Sequence, residues 1–427
     1  MNTTKLALLL VVFVDLMGQG LIFPIIDTLM LSTERAFLPE GTSQSDRQFN
    51  YGLVMAVFYL FWFLGAAYLS KLSDMIGRKN SILICLFGAF LGYALTILAL
   101  FSNSLWLLVL GRAVTGFTAG NQPIAQAALV DLSTDDTDRA RNMGYVMVAV
   151  SAGLIAGPII GGILSDTTFL GGLASLKLPF YVAGAMVAAT IVLIALSYSD
   201  AGQQRQPFRF EPLEIFLVLW RIAQRPVILR ISLVFFFFEI TLNAFYIFMD
   251  TYLTSRFHYG TFPTSMAMMV FGGCLALSGA FLVPYFGERI TKRAIVFGSQ
   301  VVIGLSCLAF VFAPVGLMTF LPIAVIGVAF GVGYPTLLAI YSLSVDEDEQ
   351  GWVMGVSIAL FTIGSGITSF AGGEAMGIDI RLPFYYAAGI AVLTLVLIAA
   401  LWSYPALRSI VAAKPEKAQA RPAETKA

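Results

Sequence analysis

The chain has 427 residues, 58% of them hydrophobic and 12% charged, with a formal net charge of zero at neutral pH. Soluble domains carry about twice that charged fraction, which excludes an ordinary water-soluble fold and implies a protein that crosses a membrane many times. Balanced charge gives no basic field for nucleic acid. The sole histidine, His258, and three scattered cysteines, Cys85, Cys274 and Cys307, offer no metal-type spacing and no CxxC pair.

Apolar runs of about 20 residues, long enough to cross a ~30 Å hydrocarbon core as helix, predict twelve spans. They fall at 5–31, 50–70, 80–101, 105–131, 142–165, 178–198, 227–254, 264–286, 294–314, 317–343, 351–374 and 383–403. In the first, Lys5 precedes an apolar run that Asp15 interrupts, and no small-x-small cleavage pattern follows. It therefore reads as a transmembrane helix and not a signal peptide. Asp15 lies about ten residues into the span, near mid-depth at about 1.5 Å per residue, with Gln19 one turn further on. A charge at that depth costs at least about 2.5–3.5 kcal/mol on insertion scales, so it calls for a water-filled path and a partner.

Between the second and third spans, Ser70-Lys-Leu-Ser-Asp-Met-Ile-Gly-Arg-Lys79 is an island of charge, read as a short loop at one membrane surface. Lys71, Arg78 and Lys79 point to the cytoplasmic surface. Gly77 allows a tight turn, and Asp74 among three cations suggests a latch between helix ends. The segment resembles the G-x-L-A-D-R-x-G-R-K signature of the major facilitator superfamily, matching at Leu72, Asp74, Gly77, Arg78 and Lys79. It departs at Ser70, where the family has Gly, and at Met75, where the family has a basic residue. The resemblance implies an all-α membrane protein of the MFS fold, with 12 transmembrane helices in two pseudo-symmetric six-helix bundles and a site at their interface.

The fourth span carries a polar stripe of Arg112, Thr115, Gln122 and Gln126, and Arg112, Gly116 and Gly120 match the superfamily's span-four motif. Asp131 closes the span, and Asp135-Asp-Thr-Asp-Arg-Ala-Arg141 follows with Arg139 and Arg141. By resemblance these residues neighbour the Asp74 loop, where Asp131 pairs with Arg78 when the cytoplasmic side shuts. In the fifth span Gly153, Gly157 and Gly161 recur every four residues, a smooth face for a neighbouring backbone. Pro158 bends the helix. With Gly162, the G-x-x-x-G-P-x-x-G-G pattern resembles the motif of proton-coupled antiporters within the superfamily and favours export by exchange.

The longest polar connector, Asp200 to Gln224, includes Gln203-Gln-Arg-Gln-Pro207 and a predicted surface helix around 214–222. It divides an N-terminal bundle, 1–200, from a C-terminal bundle, 226–405, with a cytoplasmic linker over 201–225 and a disordered tail over 406–427. In the seventh span Glu239, Asn243, Tyr246 and Asp250 fall at i, i+4, i+7 and i+11, on one helical face. Phe235 to Phe238 read as packing; Tyr334 and Tyr341 on span ten, with Trp62, are candidates for stacking a planar substrate. The halves echo each other: Lys177-Leu-Pro-Phe-Tyr181 returns as Arg381-Leu-Pro-Phe-Tyr385, and Gly161-Gly162 as Gly372-Gly373.

Cations sort by loop. With both termini inside, Lys5, the Lys71 to Lys79 cluster, Arg139, Arg141, Arg205, Arg209, Arg221, Arg225, Arg230, Arg289, Lys292 and Arg293 are cytoplasmic, against Arg35, Arg47, Lys177, Arg256 and Arg381 outside. Asp346-Glu-Asp-Glu349 dissents, an inside loop without a cation. No Walker-type GxxxxGK[ST] occurs and a lone histidine permits no Ser-His-Asp arrangement, which argues against an ATP-driven pump or an enzyme. The expected function is secondary active transport in the plasma membrane: a monomer that needs no cofactor exchanges protons for a small amphipathic molecule by alternating access, similar to the drug:proton antiporters that include tetracycline exporters. Asp15 and Glu239 would carry the proton and Arg112 would bias them. Gln19, Gln122, Gln126, Asn243, Tyr246, Asp250 and Tyr334 would line the substrate cavity. Two alternatives keep the fold: export of an endogenous metabolite such as a siderophore, and a facilitator or sensor without proton coupling.

Overall fold

A computed structural model describes residues 3–31, 37–200, 220–346 and 349–412, and among these there is no strand. The helices are α1 (Thr3–Leu31), α2 (Gln44–Ile76), α3 (Arg78–Ser102), α4a (Leu105–Phe117), α4b (Asn121–Asp131), α5 (Asp136–Ser165), α6 (Leu178–Ser197), α7 (Pro226–Phe257), α8 (Thr261–Gly287), α9 (Lys292–Phe312), α10 (Phe320–Ser342), α11 (Gln350–Ile378) and α12 (Leu382–Leu401). Eleven are long and apolar enough to span a membrane. The twelfth crossing is α4a and α4b end to end. Twelve crossings put both chain ends on one side, the termini end, opposite a far end.

The break in the fourth crossing follows from its sequence. Pro123 has no N–H to give to the carbonyl of Ala119 and its ring crowds that carbonyl; Thr118 and Gly120 sit in the bridge region, at φ −93°, ψ 5° and φ −97°, ψ 10°. Ala119 closes instead on Gly116, at 3.0 Å. The continuous span expected over 105–131 is thus two helices with a free N-terminus at mid-crossing.

The stretch expected as a ten-residue loop is not a loop. Helix α2 runs to Ile76 and α3 starts at Arg78, so only Gly77 joins them. Its φ of 98° and ψ of 153° suit glycine alone, and its N–H bonds the Ser73 carbonyl at 3.1 Å. Because a helix satisfies its own backbone hydrogen bonds, continuing both helices beyond the apolar runs leaves fewer groups unpaired than a loop would. At the far end α2 likewise starts early, at Gln44, where the Ser43 hydroxyl accepts the Asp46 N–H at 3.1 Å. Arg35, Gln203 to Pro207 and most of the expected helix at 214–222 lie outside the described residues. The first residues of the expected disordered tail, 406–412, belong to a helix, Pro405–Ala412, that buries Leu407 and Val411, one turn apart on one face.

Helices pack in two groups. In the first, α1 lies along α5, and α3 packs on α4a and α6; in the second, α8 and α9 pack on α10, and α7 on α11 and α12. The groups meet chiefly where α2 crosses α11 and α5 crosses α8. These two seams are equivalents under the repeat: Gly162 of α5 faces Ser265 of α8, and its echo Gly373 of α11 faces Gly52 of α2. Hydrogen bonds between described residues of the two groups, Thr28 to Thr261, Tyr51 to Ile247 and Thr254 to Asp27, fall in the far half.

Candidate functional site

Asp15 and Gln19 face the break in the fourth crossing. Asp15 turns a carboxylate oxygen to the backbone N–H of Gln122, in the first turn of α4b, where helix N–H groups lack intrahelical acceptors and the dipole favours an anion. Its Oδ2 and the Gln19 Nε2 are buried without partners. Arg112 is 2% exposed, its guanidinium 4.0 Å from the centre of the Phe58 ring and its Nε unpartnered. Asp15 and Arg112 line one cavity with Gln19, Tyr93 and Thr115. No ion pair joins them among the described residues, so the arginine stands beside the acid without neutralising it. This cavity measures about 30 Å³, room for a water or two and far below the few hundred Å³ that hold a drug-sized ligand. The side chains of Gln122 and Gln126, on α4b, are half-buried.

In the second group, Glu239 on α7 is fully buried and neither carboxylate oxygen has a partner. Tyr334 on α10 lies within its electrostatic reach and stacks on Phe330 with ring centres 5.1 Å apart. The expected stripe on α7 divides. Asn243 donates to the Glu239 carbonyl at 2.9 Å. Tyr246 packs between Phe23 of α1, at 5.0 Å, and Phe271 of α8, at 5.1 Å. Asp250, one turn beyond, reaches the far-end seam beside Asp27 of α1. Across the other seam Trp62 and Tyr59 of α2 stack at 6.2 Å and meet Phe361 of α11 edge-on at 5.6 and 6.0 Å. Tyr341, fully buried, donates to Ser232 at 2.9 Å and is packing.

At the termini end Asp74, Arg78 and Asp131 come together. The Arg78 guanidinium lies 2.7 Å from Asp74 and 3.5 Å from Asp131, and also donates to the Ser73 hydroxyl at 2.6 Å. Lys79 is tied elsewhere: its ammonium donates to the Ala195 carbonyl at 2.7 Å, and its backbone N–H to Asp200 at 3.0 Å. Asp200, which motif reading passes over, thereby caps α3 from the end of α6. Arg141 pairs with Asp138, and Lys5 reaches the same carboxylate at 2.8 Å, tying α1 to α5. These two cations hold the Asp138 carboxyl down at about 2. Arg139 is exposed. The acidic loop finds its cation in three dimensions: Arg225 grips Glu349 through both guanidinium nitrogens, at 2.5 and 2.6 Å, and lowers that carboxyl.

The glycine face of α5 meets α1. A Cβ on Gly153 would stand 2.7 Å from the Phe13 carbonyl oxygen, one on Gly157 2.4 Å from that of Met17, and one on Gly161 2.9 Å from that of Leu21. Pro158 fills the next notch, 2.7 Å from where a Gly20 Cβ would lie. Gly162 alone turns to the second group, toward Ser265. Gly153, Gly157 and Gly161 therefore knit one group together, and Gly162 opposes the other.

The geometry matches known transporters. The chain is 29% identical over 368 residues to the class C tetracycline resistance protein of Escherichia coli, covering 85% of this chain and 87% of that protein. It is 25% identical over 407 residues to the quinolone resistance protein NorA of Staphylococcus aureus, covering 93% and 96%. Its fold superposes on the crystal structure of the human organic anion transporter MFSD10 with a TM-score of 0.70 over 93% of this chain and 99% of that one, at 18% identity. A family model described as Major Facilitator Superfamily matches residues 8–369 and 278–426. With twelve crossings in two echoing groups, this chain is a multi-pass membrane transporter and belongs to the Major Facilitator Superfamily.

Proposed function

We propose that the chain is a drug-type exporter that exchanges protons for small amphipathic molecules by alternating access. The observation that carries the reading is the pair of incompletely partnered carboxylates at mid-depth, half-buried Asp15 in the first group and fully buried Glu239 in the second. Acids at that depth are retained at a cost unless they do something, and neither is fixed in an ion pair among the described residues. Arg112 supplies a fixed positive charge beside Asp15 that biases its proton occupancy. Gln19, Gln122, Gln126, Asn243, Tyr246, Asp250 and Tyr334 would line the path in states wider than this one. The resistance proteins named above support a drug as cargo. Cation-rich loops at the termini end support cytoplasmic termini, and the Asp74, Arg78 and Asp131 cluster would then be a cytoplasmic latch that Gly77, Lys79, Arg139 and Arg141 adjoin.

The test is the pH inside proteoliposomes on adding amphipathic drugs, for the native protein, Asp15→Asn and Glu239→Gln. Proton movement driven by drug, lost in either variant, supports antiport. Drug flux that persists in all three without proton movement replaces it with a facilitator. Proton-coupled flux of a single metabolite, with drugs ignored, moves the reading to the endogenous exporter.

A further inference from the structure

A second acidic site lies outside the mid-depth cavity, on the seam that closes the far end. Asp27 of α1 and Asp250 of α7 are each 1% exposed, on opposite helix groups, within electrostatic reach of each other. The Thr254 hydroxyl donates to Asp27 Oδ2 at 2.7 Å. Asp27 Oδ1 and both Asp250 oxygens have no partner. Thr251, fully buried, aims its hydroxyl at Asp27 and at Tyr51 without completing a hydrogen bond. Gln48, three residues before Tyr51 on α2 and also fully buried, leaves both amide atoms unpaired.

Among the described residues, the groups around the pair form no ion pair with it. On α2 the Tyr51 hydroxyl donates to the Ile247 carbonyl at 2.6 Å, and the Arg47 guanidinium donates to the Met30 and Thr42 carbonyls at 3.0 and 3.3 Å. On α7 Tyr246 lies below Asp250, and Arg256 is turned to the Tyr252 hydroxyl and the Val311 carbonyl. From α8, Thr261 meets Thr28, and α11 presents Gly372 against Phe248. With no cation facing them among the described residues, two carboxylates buried in this seam cannot both stay ionised, because burial penalises each charge and each repels the other. An added proton supplies a donor to a site that has unused acceptors.

We propose that Asp27 and Asp250 are a proton-binding pair that closes the far end: the pair holds at least one proton while the seam is shut and releases it to far-side water when the seam parts. The site rests on the alternating-access reading, but not on Asp15 or Glu239 being the coupling acids. By linkage, a conformation that binds one proton more is favoured up to tenfold per pH unit as pH falls.

The experiment uses the full chain in lipid nanodiscs carrying Asp15→Asn and Glu239→Gln, with no drug and no gradient, so that failure of the antiport reading cannot produce its result. Spin labels at Leu173 and Leu317, both 78% exposed at the far end of opposite groups, report the opening by pulsed electron resonance between pH 5 and 9. The expected result is a long-distance fraction that grows with pH. In Asp27→Asn and Asp250→Asn the distribution should match the acid distribution of the parent at every pH, which also shows that the variants fold. A pH response unchanged by both substitutions overturns the proposal. So does a shift produced by sodium at fixed pH, which would make the site one for a metal cation.

Discussion

Gly52→Ala should open the far end without weakening either helix group. A Cβ built on Gly52 lies 2.5 Å from the Ser369 carbonyl oxygen and 2.8 Å from the Gly373 Cα, both across the seam on α11. Ordinary C···O contacts are about 3.3–3.6 Å, so α2 and α11 must separate by close to an ångström wherever these backbones face. Overpacking of this kind costs about 1–3 kcal/mol. Inside α2 the same change is favourable, since alanine is the better helix former by about 1 kcal/mol. The whole penalty therefore falls on the closed seam and vanishes when it parts, which multiplies the open-to-closed ratio about 5- to 150-fold. The assay is the Leu173–Leu317 label distance, with Cys274, the least buried cysteine, replaced by alanine. Denaturation in detergent runs alongside as the control for folding. A distance distribution identical to the parent's, with unchanged stability, would refute the claim that closure needs this backbone approach.

Gly77→Ala forces a side chain into φ 98° and should lower stability by about 1–3 kcal/mol, read as a reduced denaturation midpoint; no change would mean that α2 and α3 re-register without strain. Asp138, held down at about 2 by Lys5 and Arg141, contributes stability that is complete above its unfolded value near 3.8 and is lost as pH falls from about 4 toward 2. Asp138→Asn should therefore melt below the native protein at pH 6 and converge with it near pH 2; a constant gap across that window would contradict the assignment. The Arg225–Glu349 pair is short but exposed, at 46% and 37% of its side-chain surfaces, so Arg225→Ala should change stability by less than about 1 kcal/mol. A larger loss would show that the pair anchors the start of α7.

What could be read from the sequence depended on whether the signal was local. Twelve apolar runs gave twelve crossings because a bilayer imposes a length on each helix. Asp74, Gly77 and Arg78 were legible from a compact signature whose contacts, Arg78 to Asp74 and Gly77 to Ser73, lie within one turn, while Asp131, the partner on α4b, came only through the resemblance. The glycine face of α5 was legible as a face, though not that Gly153, Gly157 and Gly161 meet α1 while Gly162 crosses to α8. Hydropathy saw one continuous span at 105–131, since the turn at Thr118 to Gly120 is as apolar as its flanks; Gly120 and Pro123 were the available signal. That Asp15 faces the first turn of α4b at Gln122 could not be read from residue types alone, because the two lie more than a hundred positions apart. Asp27 was passed over although it is an acid within a predicted span, and its neighbour Asp250 lies on the other half of the chain. Lys5 with Asp138, and Arg225 with Glu349, likewise join positions that only the fold makes adjacent.

The contacts divide by what they must withstand. Lipid tails are as apolar as leucine side chains, so helices in a bilayer are held by close packing and hydrogen bonds and not by hydrophobic exclusion. Within the first group, α5 lies against the α1 backbone at three glycines in succession, an arrangement that any added Cβ would break and that gains nothing from parting. Between the groups, the Gly52–Gly373 approach is similarly tight, yet the far-end closure beside it buries Asp27, Asp250 and Thr251 at the meeting of α1 and α7, and Gln48 of α2, with polar atoms unpaired. Each such atom costs roughly 1–3 kcal/mol relative to hydration, and parting the seam would return it to water. At the far end, therefore, packing and unmet polarity oppose each other across the boundary between the groups. The unpaired atoms lower the cost of opening the far end against the packing that holds it shut, and a modest gap between two such arrangements is what lets rigid groups rock about a site between them.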